Sequence, residues 1–338
     1  MKRKKVLYIG NALTHKNVTV TTIETLSTSL REEGYDVIVV SCIKNKIGRF
    51  LDMISAVRKH RKHIDIVLID TYSTTNYWYA VYVAKLCRLY KIPYIPILHG
   101  GNLPERIRRS VSSARKLFQN AYINIAPSHY LMEAFQKEGY TNIRHIPNTI
   151  DLSKYPFKER ERYTPKLLWV RSFATIYNPM MALQVLQELQ KTYPEATLTM
   201  IGPKKDESFD RCSAFAKAHN LPVTFTGKLS KEAWISLAAS HDIFINTTNF
   251  DNTPVSIIEA MALGLPVVST NVGGIPFLIK DTQNGLLCPP ENIGTFVEKL
   301  ILLIDNTDIA REISVQARES VQNFDWRLVK ISWNEVLS

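Results

Sequence analysis

With 338 residues, 45% of them hydrophobic and 22% charged, the chain is long and apolar enough for two globular domains with sizeable cores. No stretch reaches the roughly 20 apolar residues that cross a bilayer, which excludes a spanning helix on sequence grounds. The net charge of +11 is unevenly held: residues 1–150 carry 23 Lys and Arg against 10 Asp and Glu, and the remainder 19 against 21. All the excess therefore sits in the first half. That asymmetry points to an anionic partner such as a membrane face, a phosphorylated acceptor or nucleic acid, whereas any single Lys or Arg reads first as solvated surface.

The start, MKRKKVLYIG, is basic like a secretory leader, but its apolar run ends after five residues at Gly10, so a first strand fits it better. Further β-branched runs at 36–41, 64–70, 94–98 and 122–126 predict parallel strands, with helical stretches between them. One helix is expected from about Val18 to Glu33, stopped by Gly34 as a left-handed C-cap. The segment 147–165, rich in proline and charge, reads as an interdomain linker. Strands resume at 166–171, 196–202, 223–227, 242–247 and 265–270. The end of the chain is expected as one or two helices. Cys42, Cys87, Cys212 and Cys288 are far apart and form no C-x-x-C pair, so they read as reduced core thiols of a cytoplasmic protein.

Two doubly wound sheets in succession put any ligand at the carboxyl ends of the strands. The most informative stretch there is NFDNTPVSIIEAMALGLPVVSTNVGGIPFLI, 249–279. Thr253 as N-cap and Pro254 at the first helical position predict a helix opening there, running through Glu259 and ending at Gly264. Its N-terminus offers unpaired N–H groups to a phosphate. Asp251 before the helix and Glu259 within it can straddle a docked ligand and accept hydrogen bonds from sugar hydroxyls. Taken alone, Asp251 could be a cap and Glu259 a surface ion-pair partner.

This segment resembles the E-x7-E region of glycosyltransferase family 4, present here as D-x7-E, followed by EAMALGLPVVST and NVGG. IAPSHYLMEAF (125–135), IPNTID (146–151) and VTFTGKLS (223–230) extend the similarity over nearly the whole chain. The resemblance implies the GT-B fold: α/β, two Rossmann-like doubly wound parallel-sheet domains facing a cleft. Residues 1–150 form the basic acceptor side, 151–320 the nucleotide-sugar side, and 321–338 a C-terminal helix packing back on the first domain.

It further implies transfer of a sugar from a nucleoside-diphosphate sugar, UDP before GDP, to an acceptor hydroxyl with retention of configuration. On this reading Glu259 holds the ribose hydroxyls and Asp251 reaches the transferred sugar. Asn252, Thr253, Pro254, Val255 and Ser256 contact sugar and diphosphate. Arg171 stabilises the leaving diphosphate, although a strand-end arginine paired with a surface acid is the plainer alternative. His99 lies near the transferred sugar, unless it is simply a structural hydrogen-bonding histidine. Gly10, Asn11, Gly100 and Gly202 allow close backbone approach to the donor.

Three departures stand out. Asp251 is one methylene shorter than the family's glutamate. Tyr177 and Asn178 stand where a lysine is usual, with Lys204 and Lys205 as candidate substitutes. The loop IGNALTHKNVTVTT lacks paired glycines. No G-x-G-x-x-G occurs, which counts against a dinucleotide-dependent dehydrogenase. No D-x-D triplet occurs either, so no metal or other cofactor is expected.

The basic half adds PERIRRSVSSARKLF, 104–118. There Ile107, Val111, Ala114 and Phe118 make a helical stripe complemented by Arg106, Arg108, Arg109, Arg115 and Lys116. This helix either lies on an anionic membrane, which suits an enzyme extending a lipid-linked glycan at its cytoplasmic face, or packs on the domain core. A second cluster, Arg58, Lys59, Arg61 and Lys62, reads as a solvated helix end. The aromatic run Tyr72, Tyr77, Trp78, Tyr79 and Tyr82 suits a core first, and an acceptor site or membrane interface second. Nucleic acid is disfavoured for want of a binding motif. The expected setting is cell-surface polysaccharide or lipopolysaccharide assembly. The competing readings are a nucleotide-sugar epimerase of the same fold and a nucleotide-sugar or polyanion binding protein without turnover.

Overall fold

The computed structural model describes residues 3–12 and 22–338, which divide into two compact units, Met1–Thr149 with Trp326–Ser338, and Ile150–Asp325. Unit 1 is built on β1 (Lys5–Ile9), β2 (Asp36–Val40), β3 (Ile66–Tyr72), β4 (Tyr94–His99), β5 (Asn124–Ala126) and β6 (Ile143–His145). They form one parallel sheet in the order β2-β1-β3-β4-β5-β6. Its helices are α1 (Thr22–Glu32), α2 (Lys46–His60), α3 (Tyr77–Leu89), α4 (Leu103–Arg109), α5 (Val111–Phe118) and α6 (His129–Lys137). The first three residues of the expected helix from Val18, and Thr21 after them, lie outside the described residues.

Because both faces of a parallel sheet are covered, its strands read as continuous apolar runs, and β1, β3 and β4 are buried almost throughout. One face packs Ile23, Leu26 and Leu30 of α1 beside Val329, Trp333, Val336 and Leu337 of the C-terminal helix Trp326–Leu337. The other face packs α2 to α6 around Val57, Tyr77, Phe118 and Phe135. Tyr35 donates to Asn334 at 2.9 Å and Lys330 pairs with Glu33 at 3.0 Å, tying the C-terminal helix to unit 1.

Unit 2 repeats the plan with β7 (Lys166–Val170), β8 (Thr197–Ile201), β9 (Val223–Gly227), β10 (Ile243–Asn246), β11 (Val267–Thr270) and β12 (Leu286–Cys288). Their order is β12-β11-β10-β7-β8-β9, again parallel. Its helices are α7 (Pro179–Leu189), α8 (Ser208–Ala218), α9 (Lys231–Ala238), α10 (Val255–Ala262), α11 (Ile275–Leu278), α12 (Ile293–Asp305) and α13 (Thr307–Ser320). α7, α8 and α12 cover one face of the sheet and α9, α10 and α11 the other, while α13 gives Ala310 and Ile313 to the first core and Ala317 to the second. The fold is GT-B: two Rossmann-like parallel-sheet units, as the segment resemblance implied.

Three expectations need correction. First, the stretch read as a linker contains the boundary between the units, after Thr149, but from Ile150 on it is packed into unit 2. Leu152, Tyr155 and Tyr163 are buried, and the buried guanidinium of Arg160 donates to the carbonyls of His241 and Gly264. Charge and proline signalled exposure there, but an arginine that satisfies backbone carbonyls is compatible with burial.

Second, the 104–118 stripe packs on the domain core, one of the two readings given for it, but not as one continuous helix. It breaks at Ser110 into α4 and α5, and Ile107, Ala114 and Phe118 are consumed by the core, leaving only Val111 of the stripe exposed. Third, Cys42 is exposed. The other three thiols are buried, and burial pushes each of them up to about 12. No helix among the described residues is long and apolar enough to cross a membrane.

Candidate active site

In unit 1 the strand order brings β1, β3 and β4 side by side, so the residues at their carboxyl ends meet. His99 closes β4, and its Nε2 lies 2.8 Å from Oδ1 of Asp70 on β3. Tyr8 on β1 donates its phenol to the same oxygen at 2.9 Å. Tyr72, two residues beyond Asp70, stacks on the His99 ring with centroids 5.0 Å apart.

The Asp70 side chain is wholly buried and His99 nearly so. Burial, then the Asp70 carboxylate, raises the phenols of Tyr8 and Tyr72 well above their ordinary value, so both remain donors. A carboxylate oxygen only accepts, so Nε2 carries a proton towards Asp70, and in the neutral imidazole this leaves Nδ1 as the lone-pair nitrogen.

The other carboxylate oxygen of Asp70, Oδ2, is buried without a hydrogen-bond partner among the described residues. A Cβ on Gly10 would lie 2.3 Å from it, which accounts for glycine at the end of β1. Gly10, Asn11, Asp70, Tyr72, Asn76 and Tyr79 help line a small recess. Asn11 is engaged, its amide oxygen accepting from Arg49 at 2.9 Å. Gly100 follows His99 with φ of +89°. Most of the loop after Asn11 lies outside the described residues.

In unit 2 the second group of predicted residues comes together. Arg171 directly follows β7, and its guanidinium forms an ion pair with Asp251, which follows β10. The guanidinium lies 4.6 Å over the Tyr177 ring, so the aromatic that replaces the expected lysine contacts the arginine instead. Burial lowers the Arg171 pKa from its ordinary value, opposed by Tyr177 and Glu259. Asn178 caps α7 and donates to Asn249. Of the candidate substitutes, Lys204 lies over Phe209 and pairs with Asp210 at 3.2 Å. Gly202 sits so close to β7 that a Cβ would lie 1.7 Å from the Arg171 carbonyl oxygen.

The helix after Asp251 begins one residue later than expected: α10 starts at Val255, and Pro254, not Thr253, stands at its N-cap without a side-chain cap. Asn252 and Thr253 therefore form the approach to α10. The Asn252 N–H donates to Asp251 at 2.8 Å. Ser256 is buried in the first turn with no partner for its hydroxyl among the described residues. The glycine loop explains itself here. Gly273 has φ of +56°, and a Cβ on it would lie 2.1 Å from the Asp251 carbonyl oxygen, so only glycine lets this loop buttress the Asp251 turn.

Glu259 is 4% exposed. Its Oε1 accepts from Tyr155 at 2.7 Å and forms an ion pair with Lys231 at the start of α9. Burial, then the Glu259 charge, raises the Tyr155 phenol far above its ordinary value. Asp70, Tyr155 and Lys231 escaped the sequence reading. Only the position of Asp70 near the end of a predicted strand hinted at any of them.

Two family models together account for most of the chain: Glycosyltransferase Family 4 matches residues 6–154 and Glycosyl transferases group 1 matches residues 153–320. The chain belongs to the group 1, family 4 glycosyltransferases. Among curated relatives, the sulfoquinovosyl transferase SQD2 of Arabidopsis thaliana is 32% identical over 151 residues, covering 43% of this chain and 28% of that protein. A glycogen synthase of Mycobacterium tuberculosis is 26% identical over 205 residues, covering 59% and 49%. The chain thus spans less than half the length of these relatives. Among solved structures, Anabaena HepE in complex with UDP and glucose superposes with a TM-score of 0.76 at 18% identity over 99% of both chains, a likeness of fold. Among the described residues no group of three or more His, Cys, Asp or Glu is placed to hold a metal ion.

Proposed function

We propose that this glycosyltransferase moves a sugar from a nucleoside-diphosphate sugar, UDP in preference to GDP, to an acceptor hydroxyl with retention of anomeric configuration. The observation that carries the reading is the Arg171–Asp251 ion pair at the carboxyl ends of β7 and β10, beside the first turn of α10 and the buried Glu259. A cation, a helix N-terminus and two carboxylates in one unit are the groups a sugar diphosphate requires. The UDP carried by HepE agrees with that choice of nucleotide.

On this proposal Glu259 exchanges its Tyr155 and Lys231 contacts for the ribose hydroxyls. Asp251 accepts from the transferred sugar. The released Arg171 and the N–H groups from Asn252 through Ser256 take the diphosphate, with Gly202 close by. His99, Gly10, Asn11 and Gly100 serve the same reaction from unit 1. The acceptor oxygen bonds to the anomeric carbon on the face the diphosphate leaves, the bond from carbon to phosphate oxygen breaks, and the acceptor proton passes to that phosphate oxygen. No protein nucleophile is needed. Arg171 and the α10 N-terminus supply the positive charge, and the reaction is proposed to require no metal ion.

The acceptor is proposed to be a glycan, free or lipid-linked, at an anionic cytoplasmic membrane face during cell-surface polysaccharide or lipopolysaccharide assembly. The test is thermal stabilisation by UDP, GDP, ADP and their sugars, without metal, for the native protein and Glu259→Ala. One nucleotide family should stabilise the native protein and not the variant. A folded native protein that no nucleotide stabilises would refute the donor site. Product analysis then separates transfer from epimerisation.

A further inference from the structure

We propose that unit 1 docks on an anionic lipid bilayer through the outward faces of α2 and α3. Each helix already satisfies the core with its inner face: Met53, Ala56 and Val57 on α2, and Tyr77, Ala80, Val83 and Cys87 on α3, are buried. The outer faces are apolar as well. Ile47 and Leu51 on α2 are 72% and 59% exposed, and Trp78, Tyr82 and Leu89 on α3 are 45%, 47% and 68% exposed. Positions 78, 82, 85 and 89 fall on one stripe of a helix.

The two faces are joined. The Phe50 ring lies 5.7 Å from Tyr79 and 5.4 Å from Tyr82, and the Tyr79 hydroxyl donates to the Lys46 carbonyl at 3.0 Å. Ile47, Leu51, Trp78 and Tyr82 therefore belong to one surface, and with Leu89 it runs roughly 16 Å along α3.

Charge selects the occupant. Six exposed Lys and Arg lie between Lys44 and Lys62, where the half-buried Asp52 is the one acid, and α3 carries none. The core of a protein–protein interface is depleted of lysine, whereas here Lys85 sits within the apolar stripe. A lysine whose stem lies along the apolar surface and whose head reaches lipid phosphate suits a membrane, as do Trp and Tyr at the headgroup level. Apolar and basic signals together give the pair of attractions that stable surface binding requires.

The contact thus falls on α2 and α3 and not on the 104–118 stripe, whose apolar side is spent on the core. α2 and α3 follow β2 and β3, so their N-termini lie at the same end of the sheet as Tyr72 and His99, where a lipid-linked acceptor would be presented. Only this last step rests on the proposed function.

The experiment is co-sedimentation of the full chain with vesicles of phosphatidylcholine alone or with about 30% phosphatidylglycerol. The native protein is expected to sediment with the anionic vesicles. Leu51→Glu/Trp78→Glu and, separately, Lys59→Glu/Arg61→Glu should each weaken binding at least ~10-fold. Val111→Glu, at an exposed apolar position on α5, should not. Thermal unfolding confirms that each variant is folded.

Binding by the Leu51→Glu/Trp78→Glu protein equal to the native would overturn the proposal. So would absence of native binding, or a native dimer that the substitutions dissolve while vesicle binding persists. Donor stabilisation measured on the same proteins keeps the two ideas apart. Vesicle binding without any nucleotide effect would sink the donor site and leave the docking surface standing, and the converse result would do the reverse.

Discussion

Asp70→Asn is the substitution that tests most sharply whether the unit 1 cluster serves the reaction. In the native protein one oxygen of Asp70 accepts from both Tyr8 and His99 Nε2, while the other is buried without a partner among the described residues. Asparagine has two arrangements there. With its oxygen towards Tyr8 and His99 it keeps both bonds, but it puts two amide donors where Oδ2 lay against Gly10, a cost of about 1–3 kcal/mol for unsatisfied buried groups. With the amide turned, its donors face the Tyr8 hydroxyl and His99 Nε2, and the histidine can accept only by moving its proton to Nδ1. Either arrangement weakens the hold on the tautomer that presents the Nδ1 lone pair.

The expected kcat loss is on the order of 10- to 100-fold with the donor KM nearly unchanged. That lies at the low end of acid–base effects, because His99 is proposed to position and stabilise and not to take the acceptor proton. Tyr8→Phe is the control, removing a bond to the same oxygen and about 1.5–3 kcal/mol of stability while leaving His99 oriented, so kcat should hold. Steady-state transfer kinetics, urea unfolding and the ¹⁵N shifts of the His99 ring measure the three quantities. If kcat fell equally in both variants, in step with stability and with no change of tautomer, Asp70 would be a core residue and the argument would fail.

Tyr155→Phe deletes the 2.7 Å bond to Glu259 and leaves the Lys231 ion pair in place, so unit 2 should lose about 1–2 kcal/mol in urea unfolding. An unchanged midpoint would show that Lys231 alone satisfies the carboxylate. Gly273→Ala forces a Cβ against the Asp251 carbonyl at a positive φ, and should cost at least about 1–3 kcal/mol and reduce nucleotide stabilisation together. Loss of one without the other would separate the loop from the site. His145 titrates at about 4 against 6.5 for a free imidazole, lowered by burial first and His129 second, with the hydrogen bond to the Pro127 backbone opposing. Because the folded protein binds that proton less readily than the unfolded chain, the contribution is complete above about 6.5 and is lost as pH falls towards about 4. After solvent screening the change should be on the order of 1 kcal/mol. His145→Asn should flatten that part of the stability profile, and an unaltered slope would assign the dependence to other groups.

What could be read from the sequence, and what could not, follows the distance over which each signal acts. The apolar runs of β1, β3, β4, β10 and β11 announce themselves because burial on both faces is written into consecutive residues. The edge strands β6 and β12, three residues each, are too short to carry any periodicity, and neither was anticipated. The D-x7-E segment was legible because turn, helix, glycine stop and strand are contiguous. By contrast, Asp70 meets His99 across 29 residues and Tyr155 meets Glu259 across 104.

The packing of the linker segment was hidden for the same reason, since Arg160 finds its carbonyls 81 and 104 residues away. Local pattern therefore marks the groups proposed to touch the donor, and strand order supplies the groups that hold them. At Glu259 and His99 alike, a residue visible in the sequence is fixed by a partner visible only in the fold. Lys231 and Asp70 are those partners. Substituting the partner is then the discriminating experiment at each position, because it leaves the recognised residue in place and alters only its orientation and charge balance.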